Sequence, residues 1–367
     1  RDPRSVESVT ILKDAAAKAL YGPLGAQGVF LVTTKKGHAG KTTVHAHANF
    51  GWEEPTTKAE MVGAYSYACL RNQSLRNDGL AERYTASELN AFRSGNGIDN
   101  DWRKLYMNDF RPVQNYNVEI AGGNERTKFY VNAGYSHTGS LYKADFKEKY
   151  NPEQYNQRFN LVSNIQVNMF SFLKMFAATN VRIGHTNTSR GNDDGDIIKS
   201  LYTTPPTIEN GVVDGKVVAD ENFPNPIYGQ INYRGVNKLT NTDVNASFGL
   251  DFDLGFITKG LTARAMVGYN SDYSGTRVGK YDYSRWVRDE NGTLVRFGTA
   301  NNDPLSWEKR AEMFYFMNFQ AMVRWQRELG NHSFDALVSY LGEDRLGSST
   351  EAAWLLPYTR IQLGGHV

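Results

Sequence analysis

Several groups of side chains in this 367-residue sequence have types and spacings that could do chemistry. His45 and His47 lie two apart, so an extended backbone puts both imidazoles on one face, as a metal pair requires. No third ligand accompanies them, and a polar pair on a solvated strand face is the competing reading. Asn192-Asp-Asp-Gly-Asp196 gathers carboxylates as a Ca²⁺ loop does but lacks the other spaced ligands of an EF-hand, which favours a solvated loop tip. Glu53 with Glu54, and Asp289 with Glu290, are paired acids without a defined opposing partner for acid–base work. Gly22, Gly25 and Gly28 could cradle a phosphate, yet phosphate loops open a helix after a strand, and these glycines close a helix and feed a strand. Gly37-His-Ala-Gly-Lys-Thr42 looks like the end of a Walker A loop, but Lys35 holds the leading glycine position and Lys41 to Phe50 alternates like a strand. The sequence therefore yields no catalytic, cofactor or metal site, and an enzyme is not expected.

A different set of residues suits binding. Tyr202, Tyr228, Tyr233, Trp286 and Trp307, with Arg234 among them, lie in long polar segments and supply stacking faces and hydrogen-bond donors. Tyr281, Tyr283, Arg190 and Arg285 belong to the same segments. Such a mixture would hold a glycan or a short peptide; the same residues could equally pack the segments against one another or a partner.

The elements that must carry these residues are strands. Apolar and polar residues alternate over Val44 to Phe50, Tyr116 to Ile120, Phe129 to Tyr135, Phe159 to Val167, Leu173 to Ile183, Val244 to Leu254, Leu261 to Tyr269, Met313 to Trp325 and Phe334 to Tyr340. These nine segments are long enough to cross a bilayer as strands. Asp251 and Asp253 must then sit on a water-facing side. Short turns at Gly122–Arg126, Met169–Ser171, Gly255–Gly260 and Leu329–His332 alternate with long segments at Glu53–Pro112, His137–Tyr155, Asn187–Asn241 and Ser274–Arg310. That alternation fits an outer-membrane barrel, with tight periplasmic turns and large extracellular loops. In the first long loop, Thr57 to Leu75 reads as an amphipathic helix, and Tyr84 to Leu89 as a second, capped at Thr85 or Ser87.

Composition agrees. Aromatics make up 13%, with 21 Tyr and 19 Phe, which suits aromatic-girdled strands. A net charge of +2 without a basic stripe gives no reason to expect nucleic acid. The single cysteine, Cys69, excludes a disulfide framework, and no apolar run is long enough for a transmembrane helix.

The stretch from Val6 to Gly37 carries a family resemblance. Val6-Glu-Ser-Val-Thr-Ile-Leu-Lys-Asp-Ala-Ala-Ala-Lys-Ala-Leu-Tyr-Gly, then Gly25-Ala-Gln-Gly-Val-Phe-Leu-Val-Thr-Thr-Lys-Lys-Gly37, reads strand, short helix, glycine loop, strand, with Asp14 capping a helix over Ala15 to Leu20. It closely resembles the C-terminal end of the plug domain in SusC/RagA-type TonB-dependent outer-membrane transporters of the Bacteroidetes. Asp14, Tyr21, Gly22, Gly25 and Gly28 fall on that motif. Gly97 to Trp102 and Gly122 to Tyr130 resemble further family segments, an acidic stretch ending in Asp-Trp and the first periplasmic hairpin.

The resemblance implies an all-β membrane protein. Residues 1–40 would be the end of an α+β plug, joined through a hinge at Gly37 and Gly40 to residues 41–367, the first part of a 22-stranded antiparallel transmembrane barrel. An internal-looking start and open sheet edges lead us to expect a piece of a longer chain. The implied function is TonB-dependent import of a nutrient, oligosaccharide or peptide ahead of siderophore or cobalamin, across the cell outer membrane. The implied partners are periplasmic TonB, a SusD-like surface lipoprotein and outer-membrane lipid. The alternative is a plugged-barrel surface adhesin or an assembly component without transport.

Overall fold

The structure is a computed structural model that describes residues 5–12, 28–56, 59–145, 148–190, 196–300, 302, 304–330, 332–347 and 358–366. Strands β1 (Val6–Leu12) and β2 (Val29–Thr34) pair antiparallel, with Thr10 opposite Leu31. Then follow β3 (Gly40–Glu53), helices α1 (Ala64–Asn77), α2 (Ala86–Ser94) and α3 (Trp102–Tyr106), and β4 (Arg111–Gly123), β5 (Thr127–Thr138), β6 (Tyr155–Phe170) and β7 (Leu173–Ser189). After α4 (Asp196–Thr203) come short strands β8 (Val212–Val213) and β9 (Lys216–Val218) and helix α5 (Ile227–Asn232). The chain ends in β10 (Gly235–Asp253), β11 (Leu261–Lys280), short β12 (Arg285–Arg288) and β13 (Leu294–Phe297), then β14 (Ser306–Leu329), β15 (His332–Gly347) and β16 (Tyr358–His366).

Among the described residues ten strands form one antiparallel sheet in the order β16-β15-β14-β11-β10-β7-β6-β5-β4-β3. Each strand pairs with the previous long one, so the sheet is an up-and-down meander with no crossover. The nine alternating segments of the sequence are nine of these strands. The tenth, β16, pairs with β15 through Val338 opposite Leu363, and its short alternation escaped the sequence reading.

Alternation gives the sheet two unlike faces. Register sets Ala177, Phe248, Val267 and Phe319 side by side on one row, and Ala178, Ser247, Gly268 and Asn318 on the next. Large apolar side chains on the first face stay open, with Trp52 68%, Phe50 66% and Phe319 49% exposed. On the second face the polar residues at its centre are covered instead: Asn117 is 2% and Asn132 0% exposed. A water-soluble sandwich or lipocalin would show the reverse, so the open apolar face is the one that lipid must cover.

The turns after β4, β6, β10 and β14 are short, whereas the connections spanning 54–110, 139–154, 190–234 and 281–305 are long. Two of these are shorter than the sequence suggests, because β10 begins at Gly235 and β11 runs to Lys280. At 19, 20 and 24 residues, β10, β11 and β14 exceed the roughly 9–11 residues a bilayer needs. Their upper parts stand clear of lipid, both faces can be polar there, and alternation fades.

The long connections fold on themselves above the sheet. Trp102, Tyr106, Met107, Tyr142, Ile197, Leu201, Ile227 and Ile231 form one buried core, joining α3, α4 and α5. Trp102 donates from Nε1 to the Pro205 carbonyl at 3.2 Å, and Asp101 caps α3 by accepting from the Lys104 N–H at 3.2 Å. A second core holds Tyr150, Val217, Val236, Tyr281 and Tyr283. Its Tyr150 hydroxyl donates to the Asn232 carbonyl at 2.6 Å and accepts the Gly235 N–H at 2.9 Å, tying the end of α5 to the start of β10. Helix α1 starts at Ala64 rather than near Thr57 because the Asp99 carboxylate accepts the Ala64 N–H at 2.8 Å, fixing its N-terminus from a distance. Thr85 caps α2 in a reciprocal box with Glu88.

Two outcomes are expected. Val267→Arg, at mid-strand on the open apolar row, should destabilise the assembled barrel by ~2–4 kcal/mol, whereas Asn245→Lys on the inward row should cost under ~1 kcal/mol. Denaturant unfolding in lipid vesicles checks this, and equal losses would refute the assignment of faces. Tyr150→Phe leaves the Asn232 carbonyl and Gly235 N–H without their partner and should cost the loop core ~1–3 kcal/mol, read as faster proteolysis of segment 190–234 with the barrel intact.

Candidate functional site

The covered inward face is a polar wall built by the two-residue period. Asn117 and Asn132, on neighbouring strands, exchange amide hydrogen bonds of 3.0 and 3.1 Å. Ion pairs span adjacent strands at Arg182–Asp243 (2.5 Å) and Arg264–Asp251 (2.5 Å), and Arg324 pairs with Asp335. Asp251 is thus on the water side, as a charged strand residue must be.

The segment after β2 sits on this wall. Lys35 Nζ lies 3.0 Å from Glu119 Oε2, which also accepts the Tyr130 hydroxyl at 3.1 Å. Asn164 donates to the Lys35 carbonyl at 2.5 Å and to the Thr34 hydroxyl at 3.1 Å. Gly37 lies so close to β5 that an added Cβ would fall 2.3 Å from the Phe129 nitrogen. Gly40, with φ +142°, then turns the chain into β3 opposite Gly123. Of the two glycines expected to form a hinge, Gly40 is required by its positive φ and Gly37 by its close approach to β5, so Gly37 is seated against the wall rather than free. Gly28 enters β2 with φ +96°. Asp14, Tyr21, Gly22, Gly25 and the helix expected over Ala15 to Leu20 lie outside the described residues.

At the opposite end of the strands the loops bring part of the binding set together. Tyr228 and Tyr233 have ring centroids 5.8 Å apart, and Tyr233 lies 5.5 Å from Tyr283 and 6.2 Å from Tyr281. Burial raises the pKa of Tyr228 and of Tyr233, and the nearby Asp145 carboxylate adds to both shifts. These phenols stay protonated at neutral pH and can donate. Arg234, beside them in sequence, lines a cavity of about 270 Å³ with Arg190, Lys280, Asp282 and Arg285. Tyr202 packs half-buried against the first loop core. Trp286 lies in the small loop sheet under the Lys216 ammonium, 4.3 Å from its ring. Trp307 stands apart: it is opposite Gly279 on the outward row, near the top of β14, between Lys238 (5.7 Å) and Arg277 (5.2 Å).

The other chemical candidates have structural surroundings. His45 and His47 are inward-facing and exposed, opposite Glu119 and Asn117, and no group of three possible metal ligands occurs among the described residues. Glu53 pairs with Arg111 at 2.6 Å, and Asp289 accepts the Asn291 and Thr293 N–H groups in a tight turn. Most of the acidic tip, 191–195, lies outside the described residues. Lys35, Glu119 and Lys280 carry contacts that the order of residues does not announce.

No protein-family model matches the chain. TonB-dependent receptor P3 of Formosa agariphila is 24% identical over 290 residues, 76% of this chain and 26% of that protein. TonB-dependent receptor SusC of Bacteroides thetaiotaomicron is 22% identical over 361 residues, 94% of this chain and 32% of that protein. The chain thus spans a quarter to a third of the curated relatives it matches. Among solved structures, the RagAB peptide importer in its open-open state superposes with a TM-score of 0.64 at 14% identity, over 100% of this chain and 43% of the other. The RagAB peptide transporter superposes with a TM-score of 0.62 at 14% identity, over 98% and 43%. In sequence the chain is thus similar to TonB-dependent receptors, SusC among them, and in fold to part of the RagAB transporter.

Proposed function

We propose that the chain is the junction of plug and barrel in a TonB-dependent importer that brings a nutrient, an oligosaccharide or a peptide, across the outer membrane. Residues 1–40 end the plug, and residues 41–367 begin the barrel, which further strands close, since an open sheet edge in lipid leaves backbone groups unpaired. The observation that carries this reading is the seat of Lys35 to Gly40 on the inward polar wall: a segment leading out of the β1–β2 pair is bonded inside the curve of a lipid-facing sheet. A passive pore has no use for such an obstruction. The relatives' designation as TonB-dependent receptors and the likeness to a peptide importer support the direction of transport.

The mechanism follows from what holds the seat. One part-buried ion pair and a few hydrogen bonds are strong enough to hold the linker at rest and weak enough to be broken by a pull from the periplasm, where TonB acts. The solute enters from above, among Tyr228, Tyr233 and Arg234, under a SusD-like surface lipoprotein that docks on the folded loops.

Gly37→Val tests the reading. Its side chain cannot fit against the Phe129 backbone, so strain of about 1–3 kcal/mol falls on the linker. Uptake of the nutrient should drop several-fold while the amount of folded barrel stays normal. Gly51→Val, where an added Cβ meets nothing within 4 Å, should change neither. Uptake that survives both Gly37→Val and deletion of TonB would refute the proposal.

A further inference from the structure

The cavity beside Arg234 has a composition that packing alone does not require. Its charged lining is Arg190, Arg234, Lys280 and Arg285 against one carboxylate, Asp282, with Tyr281, Pro304 and Ser306 completing it. Sheet register gathers these residues. Arg190 directly follows β7, Arg234 directly precedes β10, Lys280 ends β11 and Ser306 begins β14. These four strands are neighbours, with Val236 opposite Ser189, Gly235 opposite Lys280, and Lys280 opposite Ser306. Four strand tops therefore end at one level. Lys280 and Ser306 continue the inward rows, which puts the cavity at the upper rim of the polar wall rather than on the lipid side.

Among the described residues the cations are incompletely neutralised. Lys280 is bonded to Glu308 at 2.6 Å, and Arg285 reaches Asp282 only at 3.5 Å while its guanidinium lies 4.9 Å above the Tyr283 ring. The Nε of Arg285 is buried without a hydrogen-bond partner. Among the described residues, Arg190 and Arg234 form no ion pair. Like charges held together at partial burial repel, and a bound anion relieves both that repulsion and the unmet donors. Guanidinium forks match the two oxygens of a carboxylate. The cavity's volume of about 270 Å³ suits one acidic residue of a larger solute rather than a whole one.

We propose that this cavity binds a carboxylate, and that the solute imported through the barrel is acidic. The second half rests on the import reading above; the first does not. The carboxylate could belong to a uronic acid of a glycan or to the C-terminus of a peptide, and Tyr233, its ring 6.2 Å from that of the lining Tyr281, flanks the site for the neighbouring sugar or side chain. Arg190 and Arg234 give the specificity, and Lys280 and Arg285, already engaged by Glu308 and Asp282, hold the rim in shape.

The experiment is equilibrium binding to the full-length protein in detergent, by calorimetry. One arm compares trigalacturonate with neutral maltotriose; the other compares a pentaalanine bearing a free C-terminal carboxylate with its C-terminal amide. At least one acidic probe should bind more tightly than its neutral counterpart, weaken as salt is raised, and lose about tenfold or more in affinity in Arg190→Gln/Arg234→Gln. Which arm responds identifies the source of the carboxylate. A second variant, Arg234→Lys, keeps the charge and should recover part of the affinity, which a merely loosened loop would not. Heat-modifiable gel migration reports whether each variant's barrel is folded. Acidic probes that bind no better than neutral ones, or equally well to wild type and to a folded double glutamine variant, would overturn the site. Because binding is read without TonB, intact acid binding in a protein that imports nothing would overturn the import reading and leave the site standing.

Discussion

Everything in this structure depends on the antiparallel backbone ladder, whose hydrogen bonds must be complete where no water can replace them. A paired strand has a side-chain period of two, so satisfying the backbone also sorts the side chains into an apolar row and a polar row. The register Ala177–Phe248–Val267–Phe319 beside Ala178–Ser247–Gly268–Asn318 is that sorting made visible. A slip of one residue in β10 or β11 would turn Asp251 or Arg264 to the lipid side, at a cost that grows with depth in the membrane. The ion pairs Arg264–Asp251 and Arg182–Asp243 thus act as markers of register as well as neutralised charges on the wall.

The same sorting creates a place for something polar inside. Glu119, Tyr130, Asn164 and the Asn117–Asn132 pair form a surface that a chain segment can bind only by offering donors and acceptors of its own. The Lys35 side chain and carbonyl do so, and Gly37 lets the backbone approach where any side chain would collide. The Lys35–Glu119 pair is unevenly exposed, with side-chain accessibilities of 39% and 16%, so its net stabilisation lies between that of a surface pair and a buried one. An attachment of that strength holds without being permanent, as a removable plug requires.

Much of this was legible in the order of residues because a strand in lipid has little freedom. Phe159, Leu161, Ile165 and Val167 against Asn160, Asn164 and Gln166 can be read only one way, and β6 follows. Thr85 and Glu88 likewise announce the start of α2. Legibility ended where the constraint did. Above the lipid, Asn237 to Thr242 and Ser271 to Thr276 can be polar on both faces, so the tops of β10 and β11 read as loop although they are paired. The start of α1 depended on Asp99, a residue distant in sequence. Trp307 resembled the loop tyrosines by type, and only its register opposite Gly279 moves it to the outward row. The cluster of Arg190, Arg234, Lys280 and Arg285 is invisible along the chain, because strand pairing brings together positions up to 95 residues apart, from 190 to 285.

The loops invert the logic of the strands, and that inversion explains where specificity can arise. Below, apolar groups face outward and the interior is polar; above, Trp102, Ile197, Leu201, Ile227 and Tyr283 are buried as in a water-soluble domain. The two regimes meet at the strand tops, where the chain is paired on one side and packed on the other. Charged side chains at that boundary escape the lipid's penalty yet lose part of their hydration to the loop cores above them. A cation there is strong enough to select a ligand and still close enough to water to release it. Strands that rise past the membrane set the height of this boundary, and the register of four neighbouring strand ends decides which side chains share it.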